Sequence, residues 1–166
     1  MSQSIRSCDR CIGTRKDGTR CRRRTCIGTC CWQHAMKNLG LRVKKSLIPG
    51  AGRGLFSARV FRRNDRIVPY VANDNIHMYR SEIDAKYGNA LAEYVFCHRN
   101  YSMCWDASKT NSGVARFAND PRGAKVTANA KIVKLRNSGN SPPCLIATRK
   151  IRPGEEIYVS YGNQYW

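Results

Sequence analysis

Hydrophobic residues form almost no pattern over the first 40 positions and then recur in short bursts to the end of the chain. Leu41-Arg-Val-Lys-Lys-Ser-Leu-Ile alternates apolar with polar positions and predicts a strand that stops at the Pro49-Gly50 turn. Arg66-Ile-Val-Pro-Tyr-Val predicts a second strand, placed at an edge because Pro69 has no N–H to donate. Ser81 is a fitting cap for a short helix through Lys86, which Gly88 would end. Tyr94-Val-Phe-Cys and the run from Tyr101 to Asp106 predict a hairpin. Thr127 to Leu135 reads as a strand, Asn137-Ser-Gly-Asn-Ser-Pro-Pro as a polar turn, and Cys144-Leu-Ile-Ala-Thr-Arg as another strand. Arg152-Pro-Gly-Glu is a tight turn into a last short strand, Ile157 to Val159. Short strands broken this often argue for a mainly β domain over residues 41–166, built from several small sheets. Residues 1–40 cannot bury a core and need a staple.

Charge changes the picture of the partners. The 166 residues carry a net charge of +19, with 12 Lys/Arg against two acids in residues 1–45 and 18 against nine in residues 46–166. Such an excess favours polyanions, DNA, RNA or a nucleosome, through phosphate neutralisation, and predicts a non-specific DNA contact. A basic surface that serves only solubility is the blander reading. There is no apolar run of about 18 residues, so no membrane span is expected. Met1-Ser-Gln-Ser-Ile-Arg lacks a secretory apolar stretch, which predicts an intracellular protein.

Six of the nine cysteines fall between Cys8 and Cys31. In a reducing compartment such a cluster is expected to hold metal rather than to pair as disulfides. Cys11, Cys21, Cys31 and His34, separated by nine, nine and two residues, supply three thiolates and an imidazole, a closed tetrahedral set for structural zinc. Cys8, Cys26 and Cys30 are left over, and two zinc ions sharing a bridging thiolate, or surface thiols with no metal, are the alternatives. Arg10-Cys11 through Arg20-Cys21, followed by Cys31-Trp-Gln-His34, resembles small zinc knuckles, often virus- or protist-encoded. The module would present Arg20 and Arg22-Arg-Arg24 on a rigid loop.

Three segments carry candidate chemistry: Pro49-Gly-Ala-Gly52-Arg53-Gly54-Leu55-Phe, then Trp105-Asp-Ala-Ser with Ser112-Gly-Val-Ala-Arg116-Phe-Ala-Asn119-Asp120, then Pro153-Gly-Glu-Glu-Ile-Tyr-Val-Ser-Tyr161-Gly162. Any one is weak, since a Gly-x-Gly fits any turn and Tyr161 alone is an edge-strand aromatic. Their order and spacing resemble the SET-domain protein lysine methyltransferases over residues 41–166, most closely compact SET enzymes such as viral ones that methylate host histones. The resemblance implies a SET fold with a threaded C-terminal segment and S-adenosylmethionine as methyl donor. It places Gly52, Arg53, Gly54, Leu55, Arg116, Asn119 and Asp120 at the donor, with Trp166 capping the adenosyl pocket in part; a second subunit, as in a homodimer, or the substrate is the alternative cap. Tyr161 matches the catalytic tyrosine, Tyr94 a second channel tyrosine, and Tyr165 and Val159 the same tunnel. Val159 stands where the family often has Phe or Tyr, which leaves product multiplicity open with a lean toward more than one methyl. Asn129 matches a later family asparagine.

The chemistry suits these residue types. A lysine with a pKa near 10.4 costs roughly 4–5 kcal/mol to hold neutral at pH ~7, and an apolar, tyrosine-lined tunnel can supply that through desolvation. In one departure from the family run, Asp120 replaces its His and Pro121 the following Ser. The implied function is methylation of a histone lysine in a nucleus (a host nucleus, or a virion for a virus-encoded chain). A non-histone target, or a catalytically weak module that binds chromatin or nucleic acid, is the alternative.

Overall fold

The protein is described by a computed structural model that covers residues 8–26, 28–72, 77–88, 94–97, 103–109, 111–134 and 141–162. Among these residues the strands are two to five residues long and form four small antiparallel sheets, the mainly β architecture expected. No helix among them is long and apolar enough to cross a membrane.

The N-terminal module has one ladder, β1 (Asp9–Arg10) against β2 (Arg24–Thr25). An α-helical turn, Trp32–His34, runs on as a π-helical stretch, Ala35–Leu39, and ends at Gly40, whose φ of 67° is left-handed. β3 (Leu41–Lys45) follows at once and pairs with β4 (Arg53–Ser57), whose other edge holds β11 (Glu156–Ile157). β5 (Arg66–Pro69) and β9 (Ala130–Val133) flank β10 (Cys144–Ala147) in a second sheet. β6 (His77–Tyr79) and β7 (Val95–Cys97) flank β8 (Met103–Asp106) in a third. One apolar core joins all three sheets through Leu41, Leu55, Trp105, Leu145 and Ile157, each with no exposed surface.

Several boundaries differ from expectation for local reasons. β3 stops at Lys45, before Leu47 and Ile48, because the Ser46 hydroxyl and Leu47 N–H turn inward to the Glu156 carboxylate. The helix of the third sheet, α1 (Arg80–Tyr87), starts before Ser81, and Glu82 accepts the Tyr79 N–H at 2.6 Å. It is tied to β8 by Lys86, 2.5 Å from the buried Asp106 carboxylate, which also accepts from Tyr87 and from the Ser108 N–H. Burial alone would raise the Asp106 pKa, but these bonds hold it below the usual carboxylate value. The last strand leaves β4 after Ile157, and Tyr158 and Val159 form parallel bridges to Asn119 on one side and Ala130 on the other.

Two disulfides appear: Cys8–Cys26, where a bridged second zinc or metal-free thiols were the alternatives, and Cys97–Cys104, for which there was no expectation. Strand register is the cause. Asp9 pairs with Thr25, so the residues just outside that pair, Cys8 and Cys26, face one another, and Cys97 and Cys104 are themselves directly opposed across β7 and β8.

Leu145 lies at the centre of the second sheet with no exposed surface. Leu145→Ala should therefore lower stability by about 2–5 kcal/mol, read as a shift in the urea midpoint.

Candidate functional site

The site is assembled around Glu156, a buried acid in a strand whose neighbours Ile157, Tyr158 and Val159 are buried too. Its carboxylate accepts from Ser46 Oγ (2.6 Å), the Leu47 N–H (2.7 Å), Tyr158 OH (3.0 Å) and Asn119 Nδ2 (3.2 Å). A buried carboxylate needs partners of this number to offset its lost hydration. Gly54 makes room for it, since a Cβ there would stand 2.1 Å from Glu156 Oε1. Asn119 Nδ2 also donates to Arg53 O at 3.0 Å, so the Gly52–Gly54 run and the Asn119 loop are fastened together. Beside Gly52, with φ at 69°, the space is open, and a Cβ would meet nothing within 4 Å.

Asn129 holds the closing strand from the other side. Its Nδ2 donates to Glu156 O (2.8 Å), its Oδ1 accepts the Tyr158 N–H (2.9 Å), and Tyr158 O accepts from the N–H groups of Asn129 and Ala130. Val159 N–H donates to Asn119 O at 3.0 Å. Burial, then the adjoining Glu156, pushes the Tyr158 phenol up to about 12. The strand thus delivers half-buried Tyr161 beside Ala118, and its hydroxyl donates to Ala118 O at 3.1 Å.

A narrow cavity of ≈ 60 Å³ opens there, walled by Tyr70, Phe96, Ala118, Ile132, Val159 and Tyr161. Arg116 also lines it, and its Nη1 donates to the carbonyls of Ala107, Ser108 and Lys109 at 3.0 Å each. The structure therefore brings Gly52, Arg53, Gly54, Arg116, Asn119, Asp120, Val159 and Tyr161 into one neighbourhood. Leu55 sits behind it in the core. Tyr94 stands behind Arg116, whose guanidinium carbon is 5.5 Å from its ring centroid, and the aromatic walls of the cavity are instead Tyr70, Phe96 and Tyr161. Tyr165 and Trp166 lie outside the described residues. Sequence reasoning passed over Glu156, Tyr70 and Phe96. The signal for Glu156 was an acid inside an otherwise apolar strand; nothing local marked the other two.

The second candidate centre is in the N-terminal module. Ligand atoms of Cys11, Cys21, Cys31 and His34 all lie within 4.8 Å of one another, a group that could hold a metal ion. His34 Nδ1 is 3.4 Å from both Cys11 Sγ and Cys31 Sγ, close to the edge of a zinc tetrahedron. Its Nε2 is 3.0 Å from Thr14 O, so Nε2–H donates there and the Nδ1 lone pair faces the sulfurs. Burial opposes ionisation of Cys11, but N–H groups of Cys31 (3.1 Å) and Gly13 (3.3 Å) donate to its sulfur and bring the thiol down to about 7. Cys30 is buried beside the group, and burial pushes its thiol up. With Cys8 and Cys26 bonded to each other, a shared two-metal arrangement loses two of its ligands.

Residues 52–162 match the SET domain family, and the chain belongs to it. It is 30% identical over 131 residues to the histone-lysine N-methyltransferase Set8 of Drosophila pseudoobscura pseudoobscura, covering 75% of this chain and 18% of that protein. It is 30% identical over 128 residues to the N-lysine methyltransferase KMT5A-A of Xenopus laevis, covering 74% of this chain and 36% of that protein. Among solved structures, a chain of ctPRC2 in an autoinhibited conformation bound to S-adenosylmethionine has a TM-score of 0.57 at 19% identity, over 75% of this chain and 15% of that one, a likeness of fold. The chain thus spans well under two thirds of the relatives it matches.

A methyl at position 13 would stand 2.4 Å from His34 Cγ. Gly13→Ala should weaken Zn(II) binding by about 10-fold or more, measured by competition with a chromophoric chelator. The Tyr158 phenol, raised to about 12 in the folded state from its ordinary value of 10.0, stabilises the fold fully below pH 10 and ceases to as pH climbs through about 12. Urea midpoints of wild type and Tyr158→Phe should therefore converge across that interval.

Proposed function

We propose that the protein is an S-adenosylmethionine-dependent lysine N-methyltransferase acting on a histone tail. The observation that carries this reading is the Tyr161 hydroxyl, held at the head of an aromatic-walled cavity by the carbonyl of Ala118, the residue before Asn119. The names of its relatives, histone-lysine and N-lysine methyltransferases, point the same way.

The residues fit the donor. The backbone at Gly52 leaves open space, and Arg53 and Asn119 border it. Bound S-adenosylmethionine supplies a methyl already activated on a sulfonium sulfur. The chain then has to orient a lysine amine, keep it neutral and exclude water. Tyr70, Phe96 and Val159 give an apolar wall for the lysine stem, while Tyr161 OH and Ala118 O present a polar end to the amine. Tyr94 packs its ring against the Arg116 guanidinium and so helps to hold that wall of the cavity. Val159 is smaller than an aromatic residue, which leaves room for a second methyl. Trp166, a partner copy in a homodimer or the substrate would complete the donor pocket, and Tyr165 would wall the lysine tunnel.

Residues 1–40 form, on this reading, a zinc knuckle appended to a methyltransferase domain over 41–166. Its cleft lined by Arg15, Lys16, Arg22, Arg23 and Lys37 suits a non-specific contact with nucleosomal DNA, and nucleosomes place the enzyme in a nucleus. A non-histone lysine would be handled by the same cavity.

Incubation with labelled S-adenosylmethionine and core histones, nucleosomes or free DNA tests the reading. Label should appear on a histone and fall about 100-fold or more in Tyr161→Phe, with donor binding by calorimetry retained. DNA retention without label on any protein would leave a chromatin-binding module in place of an enzyme.

A further inference from the structure

We infer that Asp120 is a positioning residue that takes over from the backbone in holding Tyr161, and that it does so because Pro121 ends the ladder. The inference rests on the methyltransferase reading for its consequence, though not for the contact itself.

The strand carrying Tyr161 lies parallel to the segment through Asn119, and their backbone pairing runs as far as the Val159 N–H on Asn119 O at 3.0 Å. Extending a parallel ladder by one more pair needs a donor from residue 121. Pro121 has none, so the ladder stops two residues short of Tyr161. Pro121 keeps its carbonyl, but that oxygen accepts the Ala124 N–H at 2.9 Å, and the Tyr161 N–H goes to the Asp120 side chain instead. Its Oδ2 accepts the Tyr161 N–H at 2.7 Å, and its Oδ1 accepts the Arg122 N–H at 2.8 Å. One carboxylate therefore clamps the backbone on both sides of the gap. Bonds from N–H to an ionised acceptor are shorter and stronger than those between neutral groups.

Tyr161 is fixed at two points as a result: its N–H on Asp120 and its hydroxyl on Ala118 O, residues on either side of Asn119. Those two anchors set where the phenol oxygen stands in the cavity mouth. The two departures from the family run, at positions 120 and 121, belong together. Where the proline ends the ladder, the carboxylate takes the Tyr161 N–H. On this view Asp120 preserves the site rather than impairing it.

The test compares the full-length wild type with Asp120→Asn and Asp120→Ala. Asparagine keeps one side-chain oxygen and places an NH₂ against the other N–H; alanine keeps neither acceptor. In protein labelled with ¹⁵N-tyrosine, the Tyr161 amide, identified by its absence in Tyr161→Phe, should move upfield in Asp120→Ala. In methyl transfer, kcat should fall about 10-fold in Asp120→Asn and about 100-fold in Asp120→Ala, while the donor Kd changes by less than about 3-fold. A general loosening of the loop would instead raise the donor Kd together with the loss of kcat, and that overturns the inference. So does an unmoved Tyr161 amide in Asp120→Ala, or an unchanged kcat beside a moved amide. Should the wild type transfer no methyl to any lysine, the enzymatic reading fails by itself, and the amide shift alone decides whether Asp120 holds Tyr161.

Discussion

A single buried carboxylate sets the terms for this molecule. Glu156 has almost no exposed surface, and its oxygens are met by groups from three other places in the chain: Ser46 and Leu47, Asn119, and Tyr158 two residues on. Withdrawing such a charge from water is unfavourable by several kcal/mol unless its partners are in place together. The arrangement is therefore cooperative. The end of β3, the glycine run and the asparagine loop take up their mutual positions because the acid between them tolerates no partial arrangement. Gly54 belongs to the same constraint, as the position where any side chain would collide with that acid.

The N-terminal module solves the opposite problem, too few apolar residues to hold a shape. Its buried cluster is sulfur-rich, Cys11, Cys21, Cys30 and Cys31 with Ala35, and its loops are closed by arginines that donate to main-chain carbonyls. Arg10 reaches Cys21 O and Arg20 O, and Arg20 returns to Cys11 O and Arg10 O. The arginines are thus part of the scaffold as well as of the charge. The module also touches the larger domain closely, for a Cβ on Gly28 would stand 2.8 Å from a Val114 methyl.

Much of this was legible in the sequence, for identifiable reasons. Alternation along Leu41–Lys45 and the turn residues after it marked β3 and β4, and the Cys/His spacing marked the metal-ligand group, because both depend on local periodicity or ligand chemistry. The grouping of Gly52, Asn119 and Tyr161 was legible through order and spacing alone. What escaped depended on the register between paired strands. The two disulfides follow from which residues oppose one another across β1–β2 and β7–β8, and a one-residue slip would have separated them. Tyr70 and Phe96 face the cavity because two sheets meet at a 5.8 Å ring contact, which no motif encodes.

The passage of Tyr158 and Val159 between Asn119 and Ala130 has a consequence for the order in which the molecule is made. A strand bonded on both flanks can seat itself only once a slot exists, and both walls of this slot come from earlier parts of the chain. Insertion is then a closing event, slow by nature because the contacts it forms are distant in sequence. Any compact species that precedes it lacks a placed Tyr161 phenol.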